Sequence, residues 1–140
     1  MIVLIKESYV KDKVSDEELK KVIADFLEMG HVENIFEMFK QDTRYYGWVG
    51  ELLDDERFNV RLGGSVLFEE LKIHCKDEIS LAVPSLCEAF GHSLPHVRGE
   101  VISVLGIIGN DGAIQCIRRG LQDDSPQVRE VARDVLEEIE

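Results

Sequence analysis

Three cysteines, one tryptophan and few basic residues are what this 140-residue chain has little of, and each scarcity excludes something. Cys75, Cys87 and Cys116 are odd in number and fall within helical patterns. They read as reduced, buried small residues of a cytoplasmic protein, not as a disulfide framework. Sixteen Lys and Arg face 28 Asp and Glu, a formal net charge of -12. That excludes a general nucleic-acid binder, because phosphate contacts call for a basic face. The excess is uneven: ten acids against seven bases give -3 over residues 1–50, and eighteen against nine give -9 over residues 51–140. Such a surface favours solubility and basic partners. Long apolar runs are also missing. Met1-Ile2-Val3-Leu4-Ile5 meets Lys6 after five residues, too short for a signal core or a membrane span. A cytoplasmic protein with no membrane partner is expected.

What is present is repetition. Leu53-Asp54-Asp55 runs to Val60-Arg61, Phe90-Gly91-His92 to Val97-Arg98, and Leu121-Gln122-Asp123 to Val128-Arg129. In each phrase the apolar residue stands seven positions before the valine. Pro95 and Pro126 stand two before it, with Phe58 in that place in the first copy. The valines at 60, 97 and 128 are 37 and then 31 residues apart. Recurrence at that period means stacked supersecondary units.

Helical spacing covers almost everything after residue 15. Ser15-Asp16-Glu17-Glu18 has the form of a capping box. Leu19, Val22, Ile23, Phe26 and Leu27 follow as one apolar stripe, and Gly30 is placed to end the helix. A second helix carries Val32, Ile35, Phe36 and Phe39; a third, from near Thr43, carries Tyr46, Val49, Leu52 and Leu53. From there the units read as pairs, A and B. The first A helix begins near Asn59, buries Val60, Val66, Leu67 and Leu71, and ends near Ile73. Its B helix has Pro84 in the first turn and buries Val83, Leu86 and Phe90. The second A helix carries Val97, Val101, Val104, Leu105 and Ile108; after a Gly109–Gly112 turn, Ile114, Ile117 and Leu121 line its B helix. The last helix carries Val128, Val131, Ala132, Val135, Leu136 and Ile139. Val60 to Val83 spans 23 residues where Val97 to Ile114 spans 17, so six are inserted around residues 73–80. The expected organisation is one domain over 1–140: a cap segment at 1–14, degenerate helices over 16–53, and clear repeats over 54–140.

The D-D-S-P-Q-V-R at 123–129, S-L-P-H-V-R at 93–98 and D-D-E-R-F-N-V-R at 54–61, with A-V-P-S-L at 82–86 and L-G-I-I-G-N-D at 105–111, resemble HEAT repeats. The likeness is to the short kind found in phycobilin-lyase-like HEAT proteins. It implies an all-α, right-handed α-solenoid of stacked antiparallel helix pairs with about eight helices. It also implies that Arg61, Arg98 and Arg129 form a structural ladder, pairing with loop acids such as Asp54, Asp55, Asp123 and Asp124. A planar guanidinium suits that pairing.

The family includes metal enzymes, and the sequence speaks against that activity here. HEAT-repeat hydroxylases resembling the deoxyhypusine enzyme carry His-Glu pairs just after the repeat's arginine. Here the closest position reads Arg98-Gly99-Glu100, and no His-Glu dipeptide occurs anywhere. His92 and His96 flank Pro95 and match no ligand spacing with Cys87 or His74-Cys75. No G-x-S-x-G elbow or phosphate-cradling Gly-x4-Gly-Lys is present, and Gly63-Gly64 reads as close helix packing. No catalytic residue, metal ligand or cofactor is therefore expected.

A binding role fits best, with a protein partner on the concave face lined by B helices. The repeat register places Trp48, Ser85 and Cys116 in one column and Glu51, Glu88 and Arg119 in another. Arg44 and Tyr45 flank the first column and Arg118 the last. Trp, Tyr and Arg are enriched at interface hot spots. The expected partner-binding set is Arg44, Tyr45, Trp48, Glu51, Ser85, Glu88, Arg118 and Arg119, although Trp48 also fits the core. The alternative is an accessory enzyme or chromophore-lyase-like protein. Ile2, Val3, Leu4, Ile5, Tyr9 and Val10 either cap the open end of the stack or pair with a second copy in a homodimer.

Overall fold

Eight α-helices follow one another in the computed structural model, which describes residues 14–92 and 94–139. They are α1 (Asp16–Glu28), α2 (Val32–Gln41), α3 (Val49–Leu53), α4 (Phe58–His74), α5 (Val83–His92), α6 (Pro95–Ile108), α7 (Asp111–Arg119) and α8 (Pro126–Ile139). Short 3-10 turns span Thr43–Trp48, Ile79–Ala82 and Gly120–Gln122. The expectations for residues 1–13 lie outside the described residues.

Local chemistry sets the boundaries. The Glu18 amide donates to Ser15 Oγ at 3.1 Å and the Ser15 amide to Glu18 Oε1 at 3.3 Å, a complete capping box at the start of α1. Gly30 ends it with φ of +85°, a conformation glycine adopts without steric cost. The residue two before each valine opens a helix: Phe58 for α4, Pro95 for α6 and Pro126 for α8. For the two prolines this is the position where a missing amide matters least. The Gly109–Gly112 turn is shorter than its sequence suggests. Asn110 Oδ1 accepts from the Ala113 amide at 2.8 Å, so Asp111 and Gly112 already belong to α7.

The helices form two layers. Helices α1, α4, α6 and α8 pack one on the next, and the shorter α3, α5 and α7 do the same beside them. The chain is an all-α solenoid. Helix α2 packs on α1, on α4 and on the Thr43–Trp48 turn. Between the layers runs one cluster of buried side chains, from Leu19 and Ile23 through Val60, Leu86 and Val101 to Val128 and Leu136. The predicted third helix is two pieces, the Thr43–Trp48 turn and then α3, with Tyr46, Val49 and Leu53 buried as expected.

Helix α4 departs most from expectation. Val66 is 44% exposed, and Phe68 is fully buried in the place assigned to it. Val66 lies six residues after Val60, roughly 120° round a 3.6-residue helix, whereas Gly64, Leu67 and Leu71 return to Val60's side. The insertion lengthens α4 to 17 residues against 14 for α6. It also supplies the Ile79–Ala82 turn, which packs on the Thr43–Trp48 turn and buries Ile79. No helix among the described residues is long and apolar enough to cross a membrane.

Candidate partner-binding face

The column register survives in space, but its members divide between core and surface. Tyr45 is 2% exposed, stacked at an angle against Phe39 at 5.8 Å and edge-on to Trp48 at 5.4 Å. It is a core residue and not a partner-binding one. A tight 3-10 turn carries Tyr45 and Tyr46 inward together, which α-helical spacing does not anticipate. Cys116 is buried as well, and burial followed by the neighbouring Cys87 pushes its thiol up to about 12. Ser85 is half-buried and serves the stack: its Oγ accepts from the Gly50 amide at 2.8 Å. The α3–α5 approach there is close enough that a Cβ on Gly50 would sit 2.3 Å from the Ser85 carbonyl oxygen.

Trp48 is half-buried on the outer side of this layer. Lys20 Nζ lies 5.3 Å and Arg44 Cζ 5.5 Å from its ring centroid, both within cation–π range. Lys20 is itself held by Glu51 at 2.8 Å and Glu17 at 3.4 Å, and the Glu51 contact raises the affinity of its amine for the proton. Arg44 reaches Asp16 at 3.6 Å and Asp42 at 3.8 Å. Trp48, Lys20, Glu17 and Glu51 border a depression of about 260 Å³ between α1 and α3. Glu51, Glu88, Arg118 and Arg119 are all exposed, with Arg119 stacked 5.4 Å over the Phe90 ring.

The phrase arginines point elsewhere, along the edge of the A helices. Arg98 forms two parallel bonds to Asp123, Nε to Oδ2 at 2.9 Å and Nη2 to Oδ1 at 2.8 Å, and touches Asp124 at 3.1 Å. Its guanidinium holds the Asp123 carboxyl below the usual carboxylate range. Arg61 donates to Glu100 on α6 at 2.7 Å and to the Asp55 and Glu56 carbonyls at 2.9 and 3.0 Å. Arg129 donates to the Asp123 carbonyl at 2.6 Å, within its own repeat. Asp55 pairs with Arg57, which also reaches Asp25 and Glu28 of α1, each at 2.9 Å. Successive A helices are thus joined by three links: α1 to the start of α4 through Arg57, α4 to α6 through Arg61, and α6 to the loop before α8 through Arg98. Sequence reasoning missed Arg57, Asp25, Glu28 and Glu100. Arg57 sits one residue before α4, outside the repeated V-R dipeptide, and its partners lie in the part of the chain where the repeat has degenerated.

Gly63 and Gly64 face α1 and α3. A Cβ at these positions would meet Leu27 Cβ and Leu53 Cδ2, each at 3.1 Å. His92 ends α5 and His96 follows Pro95 into α6, so the pair is divided between two helices instead of sharing a loop. Among the described residues no three His, Cys, Asp or Glu side chains are grouped to hold a metal ion.

Two layers of stacked helix pairs, tied edge to edge by charged pairs, define a helical-repeat solenoid. A family model of HEAT repeats matches residues 70–137, just under half of the chain, and supports a HEAT-repeat family. HEAT repeats generally mediate protein–protein interaction, and the family is typically non-enzymatic. No curated protein and no solved structure matches the chain.

Proposed function

We propose that this protein is a non-catalytic interaction module that binds a protein partner on the face formed by α3, α5 and α7. The observation that carries the reading is Trp48, half-exposed between Lys20 and Arg44 at the rim of a shallow depression. A large ring offered at a surface beside cations is the residue type on which binding energy concentrates. The exposed charges extend the site: Glu51 and Glu88 on α3 and α5 give way to Arg118 and Arg119 on α7. A partner of matching polarity presents basic groups toward α3 and acidic ones toward α7. Of the arginine links, those of Arg61 and Arg98 join neighbouring A helices, while Arg57 and Asp55 line the depression beside Trp48.

The test is retention of a partner from native lysate by the full chain and its variants. Trp48→Ala and Arg119→Glu each reduce retention of the same protein at least tenfold, while Arg133→Glu on exposed α8 leaves it unchanged. Equal retention by all four proteins overturns the assignment of this face. Purified protein that carries a metal or a visible chromophore overturns the non-catalytic reading itself.

A further inference from the structure

Helix α4 is apolar on two sides. Its inner face is core, yet Phe58, Leu62, Val66 and Ile73 are 58, 49, 44 and 71% exposed. Their spacing of 4, 8 and 15 residues from Phe58 keeps them within roughly 80° of one another round the helix. The other A helices lack this stripe. The same slots hold Pro95, Gly99 and Ser103 in α6, and Pro126, Glu130 and Asp134 in α8. A contiguous exposed apolar face of this kind marks an interaction site. Beside the stripe, between α2 and α4, lies a cleft of about 760 Å³ with Val32, Phe36 and Val66 in its wall and Glu33, Glu37 and Glu70 among its lining residues.

We propose that residues 1–13 of this same chain cover that face, with Ile2–Ile5 against Phe36 and Val66. Composition is the first argument. The segment offers Ile2, Val3, Leu4, Ile5, Tyr9 and Val10, and its Lys6, Lys11 and Lys13 outnumber Glu7 and Asp12. It is apolar with net charge +1, in a chain of net charge -12, and the cleft contributes three carboxylates. Attachment is the second. Asp16 lies 3.6 Å from Arg44, so the start of α1 stands beside the end of α2. From Gln41 back to Glu37 is about 6 Å along α2, and thirteen extended residues reach about 43 Å. Size is the third. The stripe measures roughly 25 Å by 10 Å, well below the roughly 800 Å² per partner of a stable interface between proteins. It is, however, the length of a short segment laid along one helix.

Trypsin cleavage at Lys6 and Lys11 of the full-length protein tests this, because protection there reports the fraction of time the segment is docked. In the parent protein cleavage at both sites is slow. Val66→Glu accelerates it at least tenfold, and so does Ile73→Lys, while Val66→Ile keeps the parent rate and far-UV circular dichroism is unchanged throughout. Ile73 is the more exposed of the two, so its variant decides the matter where Val66→Glu disturbs folding. Cleavage that is already fast in the parent, or indifferent to both substitutions, overturns the proposal. Protection that appears only as concentration rises, with a dimer in light scattering, overturns it in favour of a second copy.

Discussion

Helices α4 and α6 open with the same phrase and occupy adjacent places in one layer, yet they are built differently. Helix α6 turns Val97, Val101, Val104, Leu105 and Ile108 inward and shows small or polar residues to the outside. Helix α4 receives α1, α2, α3 and α6 around it. It presents two glycines to the first and third of these and keeps an apolar stripe beyond them. The repeat dictates where a helix lies; its neighbours dictate what each face carries.

The largest effect that separates the two sides of α4 comes from truncating each in turn. Phe68 is fully buried and packs edge-on to Tyr46 at 6.3 Å. Phe68→Ala is expected to cost about 3–5 kcal/mol in chemical denaturation, the range for removing a buried aromatic. Val66→Ala, two residues away, costs less than about 1.5 kcal/mol, because much of its side chain faces outward. Equal costs would show that the inward and outward sides of α4 are wrongly divided.

The links that hold the A helices together differ as well. Asp123 gives Arg98 both carboxylate oxygens in a site where the two side chains are 7% and 15% exposed. Glu100 gives Arg61 one oxygen at 32% exposure, and two backbone carbonyls remain with that guanidinium when Glu100 is removed. Asp123→Ala is therefore expected to cost about 2–3 kcal/mol, as for hydrogen bonds to charged groups, and Glu100→Ala about 1 kcal/mol. The acid limb distinguishes them further. Because the folded state depresses the Asp123 pKa, its contribution is complete above the unfolded carboxylate value and is lost as pH falls through the folded one. Unfolding followed from pH 7 down to pH 2 loses part of its acid sensitivity in Asp123→Ala.

Most of the architecture was legible because it rests on periodicity. The first V-R phrase placed the start of α4 to within one residue, all three phrases proved to open A helices, and the capping box and Gly30 bounded α1. What escaped has a common physical cause. Tyr45 lies in a 3-10 turn, where helical spacing assigns faces wrongly. Val66 and Phe68 are two residues apart on a helix with apolar residues on both sides, so hydrophobicity alone could not say which is inside. Arg57 and Glu100 find partners 32 and 39 residues distant, in pairings that no repeat encodes. The candidate face was legible as a column, while its division into core Tyr45 and exposed Arg119 required the fold.

The smallest effect is the sharpest on packing. Within a helix, replacing glycine by alanine gains about 0.5–1 kcal/mol through the backbone alone. At Gly99 in α6 the new methyl would stand 3.8 Å from Val131 Cγ2, an ordinary contact, so the gain is expected in full. At Gly63 in α4 it would stand 3.1 Å from Leu27 Cβ and 3.2 Å from the Leu27 carbonyl oxygen. Both neighbours belong to the α1 backbone or the atom next to it, so neither yields without moving the helix. Gly99→Ala should therefore raise the thermal midpoint, and Gly63→Ala should leave it unchanged or lower it, by differential scanning calorimetry. A rise in both would mean that α1 yields to the new methyl, and that the close α1–α4 contact does not require glycine.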